Sequence, residues 1–144
     1  MFNVVKKLFG TKQDRDVKGY LPRVEEVNRY FESFHDLSND ELRGKTAEFR
    51  ERISAHLEGK DRDIASTRKN AADTQDFGEK EQLFQELDEL IKERDRHLED
   101  ILNEILPEAF AVVKEIARRF SENTQIEVSA TAHDQEIASQ GKDY

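Results

Sequence analysis

Apolar residues recur along this chain at three- and four-residue steps between polar stretches, and that spacing predicts a succession of amphipathic helices. Residues 1–10, MFNVVKKLFG, put Phe2, Val5, Leu8 and Phe9 on one side of a short helix, with Asn3, Lys6 and Lys7 largely opposite and Gly10 as its stop. Residues 11–19 are polar, include Gly19, and read as a linker. Residues 20–58 hold two more helices. The first, from Leu21 to about Phe34, has Pro22 near its start and Val24, Val27, Tyr30 or Phe31, and Phe34 on one face. The second opens at a capping box, Ser38 with Glu41, and carries Leu42, Thr46, Phe49, Ile53 and Leu57 as a stripe that Gly59 ends.

Residues 59–78 have only Ile64 and Phe77 as large apolar groups, too little to offset the entropy of ordering them. They read as a polar loop or a loosely held helical extension. Residues 79–106 form the longest periodic segment, with Phe84, Leu87, Ile91, Arg94, Leu98, Ile101 and Ile105 at a 3.5-residue repeat. Such a helix is on the order of 40 Å long. Its narrow seam suits an antiparallel hairpin with the helix from Leu42 to Leu57. Arg94 lies in that seam, where it must snorkel or find a carboxylate, and it disfavours a dry homodimeric coiled coil. A homodimer is otherwise left open. Pro107 then starts a new helix over residues 107–121, in which Ala109, Phe110, Val113, Ile116, Ala117 and Phe120 form the face to bury, and Lys114, Glu115, Arg118 and Arg119 lie opposite. Residues 126–132, IEVSATA, alternate as a strand would.

Composition narrows what such helices can do. The hydrophobic content is 35% against 38% charged residues, with a mean hydropathy of −0.89, so most helix faces must be wet and the apolar stripes narrow. The net charge of −9 is uneven: the first twenty residues carry five basic and two acidic side chains, the rest eighteen and thirty. A chain this acidic is a poor ligand for nucleic acid, whose phosphates call for a basic face, whereas its basic head suits an acidic surface. There is no cysteine, and no apolar run approaches the length of a membrane span. Lys6 and Lys7 interrupt the N-terminal apolar residues, so they do not make a secretory signal. A cytoplasmic location follows as an expectation.

Few residues suggest chemistry. The six glycines are scattered and no G-x-x-x-x-G-K-[ST] loop is present, so nothing here cradles a nucleotide phosphate. Glu32 and His35 make one E-x-x-H where a di-iron bundle needs two. His97 lies one turn from Glu93, His133 adjoins Asp134, and His56 has no evident partner; in a chain so rich in acids these read as solvated surface. No catalytic, cofactor-binding or metal-ligating residue is expected.

Two segments carry a family resemblance. LSNDELRGKTAEFRERI, Leu37 to Ile53, and LPEAFAVVKEIARRF, Leu106 to Phe120, are similar, in this order, to the N-terminal signature of SecA and to the stretch just before its first nucleotide-binding domain. The elaboration of the region resembles the Bacteroidetes branch of that family of preprotein translocase ATPases. The resemblance implies a mainly α part of a larger α/β motor, with a membrane- or translocon-contacting helix at residues 1–10, a helical hairpin with one long helix, a short C-terminal helix at 107–121, a lone strand, and the start of an elaborated nucleotide-binding region over 122–144. It implies that Phe2, Val5, Lys6, Lys7, Leu8 and Phe9 meet anionic phospholipid and the SecYEG channel at the inner face of the cell membrane. ATP and magnesium would serve the intact motor, which acts on preproteins, with no hydrolysis in the present residues. The alternative from the residues alone is a free-standing helical adaptor whose heptad seam binds a partner helix.

Overall fold

The structure, a computed structural model, describes residues 12–141. Four α-helices follow one another: α1 Lys12–Ser33, α2 Asn39–Asp73, α3 Phe77–Glu122 and α4 Ala132–Ser139. No strand occurs among the described residues. The described residues form two compact units, one from residues 12–45 together with 110–141, the other from residues 46–109.

The second unit is an antiparallel pair, residues 46–73 of α2 against residues 77–109 of α3. Its register is marked by ion pairs near two levels: Arg52 with Glu104 and Glu108 at 2.8 and 2.7 Å, and further along α2 and back along α3, Lys60 with Glu93 at 2.6 Å and Asp61 with Arg94 at 2.5 Å. Between them Leu57, Ile64, Thr67 and Ala71 of α2 and Leu87, Ile101 and Ile105 of α3 are buried. The hairpin expected from the seam is therefore formed, and Arg94 finds its carboxylate in Asp61. From Leu87 to Ile105 the seam is occupied within the chain, while Phe84 stays exposed.

The stretch 59–78 is helical through Asp73, where the sequence left a polar loop or a loosely held helical extension. Leu57, Lys60, Ile64, Thr67 and Ala71 continue the three-four stepping of α2, and the last two fill the seam with small side chains that a count of large apolar groups misses. Gly59 sits in the helix with open space where a Cβ would lie. It costs about 1 kcal/mol of helix propensity and does not end the helix. Only Thr74 to Asp76 turn the chain.

In the first unit the expected linker 11–19 is instead the start of α1, which runs from Lys12 through Gly19 and Pro22. The stretch before Pro22 contains no other proline and one β-branched residue, Val17, so little opposes a helix entering it. The break expected at Pro107 is also absent, since α3 passes through it. A proline there removes one backbone hydrogen bond, and packing of the buried Ile101 and Ile105 before it and Ala111 and Val112 after it holds the helix together.

The C-terminal helical segment turns a different face inward from the one its apolar spacing suggested. Ala111, Val112 and Glu115 are buried, while Phe110, Val113 and Phe120 are 58%, 64% and 66% exposed. The strand expected over 126–132 does not form. Its backbone is satisfied by side chains: the Ser129 N–H donates to Asp40 at 2.8 Å and the Glu127 carbonyl accepts from the Asn39 amide at 2.8 Å. A segment served in this way needs no ladder partner. Thr131 and Asp134 then make a capping box that starts α4.

Candidate functional site

The first unit is organised around one buried carboxylate. Glu115 has no exposed surface, and α3 places it one turn before Arg118 and Arg119. Arg118 donates to both Glu115 oxygens, at 2.9 and 2.7 Å, and Arg119 Nε donates to Oε1 at 2.7 Å. His35 Nε2 lies 3.6 Å from Oε2, and its Nδ1 lies 3.6 Å from Glu32. Hydrogen bonds from Arg118, opposed by burial and reinforced by Arg119, hold the Glu115 carboxyl down at about 2. The same pairing raises Arg118 further above its ordinary range.

Arg119 extends the network to the turn after α1. Its terminal nitrogens donate to the carbonyls of Phe34 at 3.0 Å and Leu37 at 2.7 Å and to the side chain of Asn39 at 2.7 Å. These carbonyls lie just past the end of α1, where the Phe34 carbonyl also accepts from the Leu37 N–H at 3.2 Å. Neighbouring contacts tighten the same junction. Lys114 Nζ sits 4.0 Å from the Phe31 ring centroid and donates to Asn28 at 2.8 Å, while Phe31 meets the His35 ring edge-on.

The opening of α2 completes the junction. Ser38 and Glu41 form the expected capping box: the Ser38 N–H donates to the Glu41 carboxylate at 2.7 Å, and the Glu41 N–H donates back to the serine oxygen at 3.2 Å. Asp40 accepts from both the hydroxyl and the N–H of Ser129, which lowers its carboxyl below the usual range. Arg43 pairs with Asp134 at 2.7 Å and holds that carboxyl well below its ordinary value, helped by Thr131. The two quoted segments, 37–53 and 106–120, thus meet through Asn39, Leu37 and Arg119.

The groups of this arrangement are committed to one another. Each oxygen of Glu115 already receives arginine donors, and no buried polar side-chain atom among the described residues lacks a partner. The sequence placed Glu115, Arg118 and Arg119 on the wet side. The signal for a buried role was the E-x-x-R-R spacing, which sets both arginines one turn from the glutamate. Glu32 and His35 do come together. The structure also brings His56 and His97 to a ring separation of 5.5 Å, which spacing did not reveal. Glu93 turns to Lys60 and Asp134 to Arg43. No cluster of three or more His, Cys, Asp or Glu suited to a metal occurs among the described residues.

Gly19, Gly44, Gly59 and Gly78 all lie in helices, and Gly141, at a φ of 63°, follows α4. An open depression on α1 is lined by Pro22, Glu25, Glu26, Asn28, Arg29 and Glu32. Phe2, Val5, Lys6, Lys7, Leu8 and Phe9, the residues expected to touch membrane or channel, lie outside the described residues. No described helix is long and apolar enough to cross a membrane.

Residues 5–138 match the family model of the SecA DEAD-like domain. The protein translocase subunit SecA of Cytophaga hutchinsonii is 42% identical over 144 residues, covering 99% of this chain and 13% of the relative. That of Phocaeicola vulgatus is 41% identical over 138 residues, covering 96% of this chain and 12% of its own length. A third, from Chloroherpeton thalassium, is 41% identical over 120 residues, 83% of this chain and 12% of the relative. No solved structure matches the chain. This chain spans about an eighth of the length of the curated relatives it matches, and it belongs to the SecA family of protein translocase subunits.

Proposed function

We propose that these residues are the N-terminal region of a SecA-type motor that drives preproteins through the SecYEG channel, and that they supply docking and scaffolding while ATP and magnesium are handled elsewhere in the longer polypeptide. The observation that carries this reading is the exposed row Phe110, Val113 and Phe120 on α3, opposite the locked Glu115. Three large apolar side chains on one helix face are a standing cost in water, at about 25 cal/mol for each Å² left uncovered. Apolar motor domains in a polypeptide several times longer are the natural cover. The Glu115 network holds that face in a fixed orientation for them.

In this proposal Phe2, Val5, Lys6, Lys7, Leu8 and Phe9 contact anionic phospholipid and the channel from the cytoplasmic side, as apolar insertion and lysine attraction to acidic headgroups act together. The acidity of the remaining residues keeps the rest of the chain off the same surface. Flotation with phosphatidylglycerol vesicles tests it. The wild-type chain floats with the vesicles, and the Lys6→Glu, Lys7→Glu, Phe9→Ser variant stays at the bottom. Equal recovery of both, or no flotation of either, removes the membrane role.

A further inference from the structure

The tip of the hairpin carries an aromatic side chain that the chain does not cover. Phe77, the first residue of α3, is 82% exposed, and Phe84, two turns further along the same face, is 51% exposed. The turn beneath them is tightly made. The Asp76 carboxylate accepts from the Glu79 N–H at 2.7 Å, the Asp76 N–H donates to the Thr74 hydroxyl at 3.3 Å, and that hydroxyl donates to the Glu79 carboxylate. The Thr74 N–H returns to the Asn70 carbonyl at 3.0 Å. Below the turn Ala71, Thr67 and Leu87 are buried. The ring is thus presented on an ordered base.

Charge defines what can meet it. From Ile64 to Leu90 there are seven carboxylates, at residues 73, 76, 79, 81, 86, 88 and 89, against Arg68, Lys69 and Lys80. Glu81 and Asp88 follow Phe77 and Phe84 by four residues each, so they flank the two rings on one face. An anionic membrane or a nucleic acid is repelled by such a surface. A second copy, itself at −9, meets the same repulsion.

We infer that the Phe77–Phe84 face is a docking site for a basic amphipathic protein helix, whose apolar residues one heptad apart take the two rings while its lysines or arginines pair with Glu81 and Asp88. Two anchors spaced seven residues apart match the repeat of an opposing helix. Aromatic anchors ringed by charge concentrate binding energy in a few residues. This site is independent of the membrane role proposed for the first ten residues, because it selects the opposite charge.

The probe is a synthetic eighteen-residue amphipathic helix of leucine and lysine, labelled for fluorescence anisotropy against the 144-residue chain. Binding is expected to weaken with added salt, to fall at least tenfold in Phe77→Ser, Phe84→Ser, and to fall again in Glu81→Lys, Asp88→Lys. The serine variant should keep the wild-type melting temperature, as both rings are exposed. A leucine and glutamate peptide of the same length should not bind. The inference is overturned if the lysine peptide fails to bind, if the serine variant binds it as well as wild type does, or if Phe77 instead drives self-association or vesicle binding.

Discussion

Arg119 donates to the carbonyl of Leu37 across 2.7 Å while its Nε holds Glu115, so one guanidinium links a buried carboxylate on α3 to the turn that precedes α2. Four hydrogen bonds from a single side chain make it the hinge pin of the first unit. Arg119→Met keeps much of the volume and removes all four. Hydrogen bonds to charged groups contribute about 1.5–3 kcal/mol each when broken one-sidedly, without full additivity, so a loss of about 3 kcal/mol is expected from urea unfolding of the chain. Arg118→Met, at a more open position whose carboxylate keeps Arg119, should cost about 1 kcal/mol.

Acid should loosen the same unit. The Glu115 carboxyl is held at about 2 in the folded chain against an ordinary value of 4.5, so the unfolded state takes up its proton first as pH falls. Stability from this group is fully present above about 4.5 and is lost as pH drops toward 2. Asp40, Glu41, Glu93 and Asp134 are shifted in the same direction. Thermal melts between pH 7 and pH 2 should therefore show a falling midpoint, and Glu115→Gln should start lower at pH 7 and fall less.

The helix through residues 59–73 makes opposite predictions for two substitutions. Gly59→Ala meets no atom within 4 Å and should raise stability by about 0.5–1 kcal/mol. Ile64→Ala empties a buried position in the seam and should cost about 2–4 kcal/mol. Denaturant midpoints of both variants check the pair; a true loop at 59–78 would leave both near zero.

The segment 125–130 is hydrogen-bonded by side chains of α2, and its protection from hydrogen exchange should depend on them. Asp40→Ala removes the acceptor for the Ser129 N–H and hydroxyl. Exchange at Ser129 should accelerate at least tenfold, with the hairpin amides unchanged, because the contact is exposed and local.

Much of this architecture was legible in the residues. The Ser38–Glu41 box and the antiparallel hairpin follow from spacing, since each depends on neighbours within one turn or on a long seam; for Arg94 spacing left snorkelling and a carboxylate both open, and Asp61 decides it. The misreadings share a cause. Thr67 and Ala71 are core by position although neither looks apolar and large, so the helix through 59–73 was hidden. Phe110, Val113 and Phe120 look like core and are exposed, because the inward face of that helix is built on a charge network whose partners lie some eighty residues away in sequence. Likewise the alternation at 126–132 has no strand to pair with, and side chains of Asn39 and Asp40 satisfy its backbone instead. Local pattern reports periodicity; which face is covered depends on distant residues.

Thiol labelling at position 113 tests most directly whether these helices are a mounting for larger domains. A Val113→Cys substitution introduces the only cysteine of the chain, at a site 64% exposed. In the 144-residue chain it should react with a maleimide as fast as a free thiol. In the same chain continued into SecA motor domains it should be protected by a hundredfold or more, while a cysteine replacing the exposed Phe77 of the hairpin tip stays reactive. Equal reactivity of position 113 in the short and long polypeptides would contradict the scaffold account, for the apolar face would then have nothing to carry.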